Sequence, residues 1–182
     1  MDKIRYLAPD GKERDWEMTS RKTRLEGALV DGVGILAILK SGSEPQVLLQ
    51  KQFRPPVEGI CIEIPAGLID PAESITECAL RELKEETGYK GSVVEQSGVM
   101  FNDPGFTNTN MSMVIVNIDL EDPENQNPVP ELEENEFIET FAVPLATLDT
   151  ELAELEKAGY RVDARLFNVA IGLKIAREFK LF

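Results

Sequence analysis

Glu82, Glu85 and Glu86 fall within the eight-residue stretch Arg-Glu-Leu-Lys-Glu-Glu-Thr-Gly at 81–88, inside a segment that reads as one helix. Like charges one turn apart cost a helix about 0.2–0.5 kcal/mol per pair. The cluster is therefore either a solvated face of an acidic protein or a device for holding a cation. Two details favour the cation. On a 3.6-residue wheel Ala79, Leu80, Leu83 and Thr87 form a core face, Glu77, Arg81 and Lys84 point the opposite way to solvent, and Glu82 and Glu86 stack at the border with Glu85 beside them. The helix also follows a strand and bend, "EIPAGL", whose backbone carbonyls converge on the same region. Carboxylates joined by a backbone carbonyl are a common way of holding Mg²⁺.

Composition narrows the chemistry. The chain of 182 residues contains no histidine, which removes Ser-His-Asp and Cys-His catalysis and every His-ligated metal site. Any metal ligands are then oxygens, suited to Mg²⁺, Mn²⁺ or Ca²⁺. The two cysteines, Cys61 and Cys78, read as free intracellular thiols rather than a disulfide framework. A net charge of −14 argues against nucleic-acid and anionic-membrane partners. There is no long apolar run for a membrane span, and the N-terminus is too polar for a signal peptide. The expected location is cytoplasmic, with the nucleus also open.

The positioning elements follow from periodicity and turn chemistry. "KIRYLA" and "DWEMTSRKTR" flank "PDGKE" and read as a hairpin. "GALVDGVGILAILK" and "QVLLQKQFR", separated by "SGSEP", form a second hairpin, central in a sheet. "ICIEIPAGL" is a short strand running into the bend. Ser74 with Glu77 makes a capping box, and Gly88 ends the helix. "YKGSVVEQSGVMF" and "NMSMVIVNIDL" read as strands around the loop "NDPGFTNT". "EDPENQNPVPELEENE" is a long acidic loop, "FIETFAVPL" a strand, and two helices follow, the last strongly amphipathic. Strands mixed with a few helices indicate a mixed sheet with helices packed on it.

A wider window carries a resemblance. Gly67 is followed by five residues and Glu73, then by seven residues and "RELKEETGY" from Arg81 to Tyr89. This pattern resembles the Nudix box, and seven positions fixed by identity give a chance match of order 10⁻⁸ per window. The one departure, Tyr89 for an aliphatic residue, keeps a bulky apolar side chain. The resemblance implies an α/β fold, the Nudix α/β/α sandwich with a mixed sheet, and Mg²⁺-dependent cleavage of a nucleoside diphosphate linked to another moiety, with Mn²⁺ as a substitute. It implies Glu82 and Glu86 as main metal ligands, Glu85 as a further ligand, and the Ala66 carbonyl completing the set. Arg81 is expected to orient the carboxylates, Glu73 to brace the helix start, and Gly67 to permit the bend.

The flanks "KQFRPP", "EIPAGLID", "NDPGFTN" and "VDARLFNVA", with Pro104 placed 15 residues after Tyr89, resemble the ADP-ribose and ADP-sugar pyrophosphatases. That subgroup implies a homodimer with shared active sites, built through an N-terminal β appendage over residues 1–25 on a catalytic domain over 26–182. Trp16 would stack on adenine, Glu17 meet its amine, Arg21 reach phosphate or ribose, Arg54 grip the diphosphate and Asp103 meet the terminal ribose. Three have plainer readings: Trp16 as hairpin core, Arg21 as surface charge and Asp103 as a turn former; Arg54, set before Pro-Pro, is harder to dismiss. Tyr6 is the candidate second aromatic. The subgroup also implies a general base from a loop after the box, here Glu136 of "ELEENEFIE", with Glu133, Glu134 and Glu139 as competitors and solvated surface charge as the alternative. Two other functions stay open: hydrolysis of another nucleotide sugar such as GDP-mannose, or a non-catalytic ADP-ribose sensor.

Overall fold

The computed structural model describes residues 1–24, 27–40 and 44–181. The expected domain boundary between residues 25 and 26, and the Ser41–Ser43 part of "SGSEP", lie outside the described residues. Strand β1 (Asp2–Leu7) and β2 (Glu13–Met18) form a two-stranded antiparallel sheet of their own. Their turn closes through Ala8 and Lys12, with Gly11 in the left-handed region at φ 77°.

The main sheet contains β3 (Gly32–Lys40), β4 (Gln46–Arg54), β5 (Gly59–Glu63) and β6 (Ala66–Leu68). After helix α1 (Ile75–Thr87) it gains β7 (Ser92–Gln96), β8 (Met100–Phe101), β9 (Asn110–Asp119) and β10 (Ile138–Pro144). Helix α2 (Leu148–Lys157), strand β11 (Arg161–Val162) and helix α3 (Ala164–Glu178) complete it. β3 runs parallel to β9 along its length, and most other pairs are antiparallel, so the sheet is mixed as expected.

The central hairpin is only half a hairpin. β3 and β4 pair at Ile38–Val47 and Leu39–Gln46 and then separate. The gap is filled by the chain 59–68, which pairs with β4 as β5 and then with β3 as β6. The exchange happens at Ile64-Pro65. Proline has no N–H for a ladder, and it accepts instead, from Ile35 N–H at 2.8 Å. This crossing places Ala66 and Gly67 at the mouth of the split.

Alternation along the strands builds two cores. Val33, Ile35, Ala37, Leu39 and Leu48 pack with Val114, Val116 and Ile118 under Cys78, Ala79 and Leu83 of α1. Val47, Leu49, Ile62, Ile64 and Val143 pack under Leu148 and Leu152 of α2 and Leu166 and Ala170 of α3. Helices thus cover both faces, which is the α/β/α sandwich. Two details of the helical reading change. On α1 the buried face is Cys78, Ala79, Leu83, Glu86 and Thr87, while Leu80 is exposed. On α3, Leu166 and Ala170 are buried but Ile171 and Ile175 are exposed, so the helix is apolar on two sides rather than strongly amphipathic.

Candidate active site

Helix α1 begins at a complete capping box, Glu77 N–H to Ser74 Oγ and Ser74 N–H to Glu77 Oε2, and ends at Gly88 with φ 75°. This fixes the helix on the split, with Glu82, Glu85 and Glu86 over Ala66 and Gly67. Gly67 is not a bend residue. It lies in β6, and a Cβ there would sit 1.9 Å from Glu82 Cδ, so its role is to give the Glu82 carboxylate room.

Arg81 is not turned to solvent. Its guanidinium bonds Glu73 through Nε to Oε1 at 2.7 Å and Nη2 to Oε2 at 2.9 Å. Nη1 reaches Glu82 at 2.8 Å and Glu85 at 2.9 Å, and Nη2 also meets the Leu68 carbonyl. One cation thus ties the helix start to the acidic cluster. Hydrogen bonds from Arg81 hold the Glu73 carboxyl down at about 2, against an ordinary 4.5. A depressed carboxyl stabilises the fold above its unfolded value and loses that contribution as pH falls through about 2. The shift corresponds to up to about 3 kcal/mol. Glu73→Gln is expected to lower stability by up to that amount at pH 7 and by much less at pH 3, measured by urea unfolding at both.

Glu86 is 3% exposed. Burial pushes its carboxyl up to about 8, against the bond from Ala66 N–H to Oε2 at 3.0 Å, with nearby Glu82 adding to the rise. Burial also raises Glu82. Among the described residues no three acidic groups already enclose one point as metal ligands, because Arg81 holds Glu82 and Glu85 while Glu86 turns to Ala66. The donor set still fits a hard divalent cation. It is all oxygen, burial holds two of its carboxyls above their ordinary range, and the neighbouring Gln50 Oε1 is buried without a partner among the described residues.

The cleft in front of the helix, about 770 Å³, is within the range of small-molecule sites. Its wall includes Arg21, Arg54, Ala66, Glu82, Glu85 and Glu136. Trp16, Glu17 and Asp103 are not part of it. Trp16 is half exposed and donates from Nε1 to the Gly105 carbonyl at 2.9 Å, so it is not hairpin core. Tyr6 meets it edge-on at 84°, so the two rings of one chain do not sandwich a base. Arg54 binds the buried Glu63 side-on, Nε to Oε1 at 2.9 Å and Nη2 to Oε2 at 2.6 Å, which fixes the guanidinium at the cleft edge.

The acidic loop hangs on α1. Glu131 N–H donates to the Glu85 carbonyl at 2.7 Å, and a Cβ on Gly88 would sit 2.3 Å from Val129 N. Glu136 reaches back to accept from Glu133 N–H at 2.9 Å and lines the cleft. Glu139 is on the other side of the strand, paired with Lys51 at 2.8 Å, and Glu134 is exposed outside the cleft wall.

A family model described as NUDIX domain matches residues 28–166. The chain belongs to the Nudix family. Over 183 residues, all of this chain and 79% of the relative, it is 55% identical to a Saccharomyces cerevisiae protein named ADP-ribose pyrophosphatase. It is 40% identical over 179 residues to a Mus musculus protein named ADP-sugar pyrophosphatase, covering 97% of this chain and 82% of that one. The crystal structure of an ADP compounds hydrolase shares the Nudix fold at a TM-score of 0.60 and 21% identity, over 97% of this chain and 83% of the other.

The cleft of this Nudix domain holds groups that the residue-by-residue reading passed over. Glu63, Asp31, Asp163 and Arg165 all line it. Asp31 is buried against Arg24, and Arg165 grips Asp163 through Nε at 2.7 Å. The signal for Glu63 was a single charge in the apolar run "ICIEIP", which requires a partner if buried. Arg165 lies inside "VDARLFNVA".

Proposed function

We propose that this Nudix protein hydrolyses the diphosphate of ADP-ribose, and of other ADP-sugars, to AMP and a sugar phosphate, which for ADP-ribose is ribose 5-phosphate. The carrying observation is that Glu82 and Glu85 face a cleft edged by Arg21 and Arg54, with Glu86 of the same helix buried against Ala66. Glu82, Glu85, Glu86 and the Ala66 carbonyl would hold Mg²⁺, with Mn²⁺ as substitute. When bound, the cation polarises phosphoryl oxygens and lowers the pKa of a water. Arg81 orients the carboxylates through its ion pairs. Arg54, braced by Glu63, grips the diphosphate. Glu136 takes a proton from the attacking water as it adds to phosphorus, the bridging P–O bond breaks, and the departing product keeps the bridging oxygen.

The working form in this reading is a cytoplasmic homodimer. Residues 1–25 act as the dimerising appendage, supported by the separate β1–β2 sheet with Ile4, Leu7 and Trp16 exposed. Trp16, Glu17 and Asp103 stand outside their own chain's cleft, which suits a site completed by a second copy. In support of the compartment, both cysteines are free, and among the described residues no helix is long and apolar enough to cross a membrane.

AMP release from ADP-ribose, ADP-glucose and GDP-mannose, with and without Mg²⁺, tests the reading. ADP-ribose is expected to give the highest kcat/KM, with no turnover in EDTA. Trp16→Ala should raise the KM for ADP-ribose roughly 5- to 150-fold with kcat little changed, the scale of one base–aromatic stack. Preference for GDP-mannose, or binding of ADP-ribose without turnover, would overturn it.

A further inference from the structure

Gln50 lies midway along β4, fully buried at 0% exposure. Alternation places it on the face of Leu48, toward α1, while Val47 and Leu49 face α2 and α3. Its cross-strand neighbours are Thr140 on β10 and Glu63 on β5. An aliphatic side chain would fill this position without the penalty of burying an amide. Among the described residues the amide makes one hydrogen bond. Nε2 donates to Glu86 Oε1 at 3.5 Å, and Oε1 has no partner among the described residues. Only the NH₂ side of a carboxamide suits a carboxylate, since its oxygen would face another acceptor.

Glu86 Oε2 is taken by Ala66 N–H. The two oxygens of one carboxylate are thus met by donors from β4 and from β6, the strands on either side of the split. Two donors at fixed points set the plane of the carboxylate. The buried Glu86 side chain is thereby held from both sides of the split.

We propose that Gln50 is a positioning residue, which orients Glu86 toward the cation. It acts through Glu86 and does not touch substrate. The inference rests on reading Glu86 as a cation ligand. Residues that hydrogen-bond a metal ligand characteristically change metal affinity or activity 10- to 100-fold when replaced.

Gln52 supplies the internal control. It sits two residues along the same strand, on the same face, also with an Oε1 lacking a partner among the described residues, and makes no bond to Glu86. The test is calorimetric titration of metal-free protein with Mn²⁺ alone, without substrate, alongside metal-free melting curves. Gln50→Leu and Gln50→Met are expected to weaken Mn²⁺ binding about 10- to 100-fold, with Tm kept within about 3 °C. Gln52→Leu should bind Mn²⁺ like the wild type. Wild-type affinity in both Gln50 variants, with weakened binding in Glu86→Gln, would overturn the role of Gln50 and leave Glu86 as ligand. Wild-type affinity in Glu86→Gln would overturn the ligand assignment itself, and this inference with it. Parallel losses of Tm and affinity in the Gln50 variants and in Gln52→Leu would also overturn it, as general damage to the sheet.

Discussion

Glu86→Gln is expected to lower kcat for ADP-ribose hydrolysis by at least about 10²-fold, the scale of removing a group that stabilises transition-state charge. The fold should tolerate it well. In the metal-free protein the buried Glu86 carboxyl holds its proton up to a pH of about 8, so a neutral amide is close to its resting state at pH 7. The bond from Ala66 N–H can pass to the amide oxygen. The melting temperature of metal-free variant and wild type at pH 7 should therefore agree closely. Their pH dependence should not. Between about 4.5 and 8 the unfolded chain has lost this proton and the folded chain keeps it, so this group makes stability fall as pH rises. Melting curves in EDTA at pH 5.5 and 8 should show that component in the wild type and not in Glu86→Gln. Near-normal turnover in the variant would remove Glu86 from the metal site.

The second large effect is at the loop. Glu136→Gln should lower kcat by about 10²–10⁴-fold, the range for a positioned acid–base group, with Mn²⁺ affinity nearly unchanged. The argument is one of place. Glu136 shares the parity of Ile138, whose cross-strand partner Gln52 is on the face of Gln50, beneath α1. Glu139 has the opposite parity and is committed to Lys51. Glu133 lines the cleft but is exposed, and its N–H serves to hold the Glu136 carboxylate. The acid limb of the kcat–pH profile should move or disappear in Glu136→Gln and persist in Glu133→Gln. If Glu136→Gln keeps the wild-type kcat and acid limb, water activation by the cation alone is the better account.

Much of this was legible because it was local. The capping box at Ser74, the stop at Gly88 and the spacing of the three glutamates are written within one helix, and the structure repeats them. What was hidden depended on how side chains and strands close on one another in three dimensions. Gly67 looks like a bend residue until Glu82 is laid across it. Arg81 plots to the solvent side of a helical wheel, yet its long side chain curls back along the helix to four acceptor groups. The pair of partly exposed Arg54 and buried Glu63 needs the register of β4 against β5 before it exists at all. Likewise α3 reads as amphipathic from its apolar content, but Leu166 and Ala170 are buried in the core with Val169 and Leu173 packed partly against it, while Ile171 and Ile175 stay exposed.

The clasp between Gly88 and Val129 bears on how such a site can change over time. It is a backbone contact too close for any side chain at Gly88, and it fixes one end of the acidic loop to the helix that bears the glutamates. The other end is fixed at Ile138, in register with Gln52. Residues 130 to 137 therefore bridge two immovable points. Their side chains are mostly exposed, so most of their identities can drift and reshape the cleft mouth toward a different sugar. The spacing from Glu136 to Ile138 cannot, since one residue more or fewer there would shift Glu136 by about 3.3 Å of extended chain and turn it to the other face. Relatives that use this loop for the same proton transfer should vary there in letters and agree in that spacing.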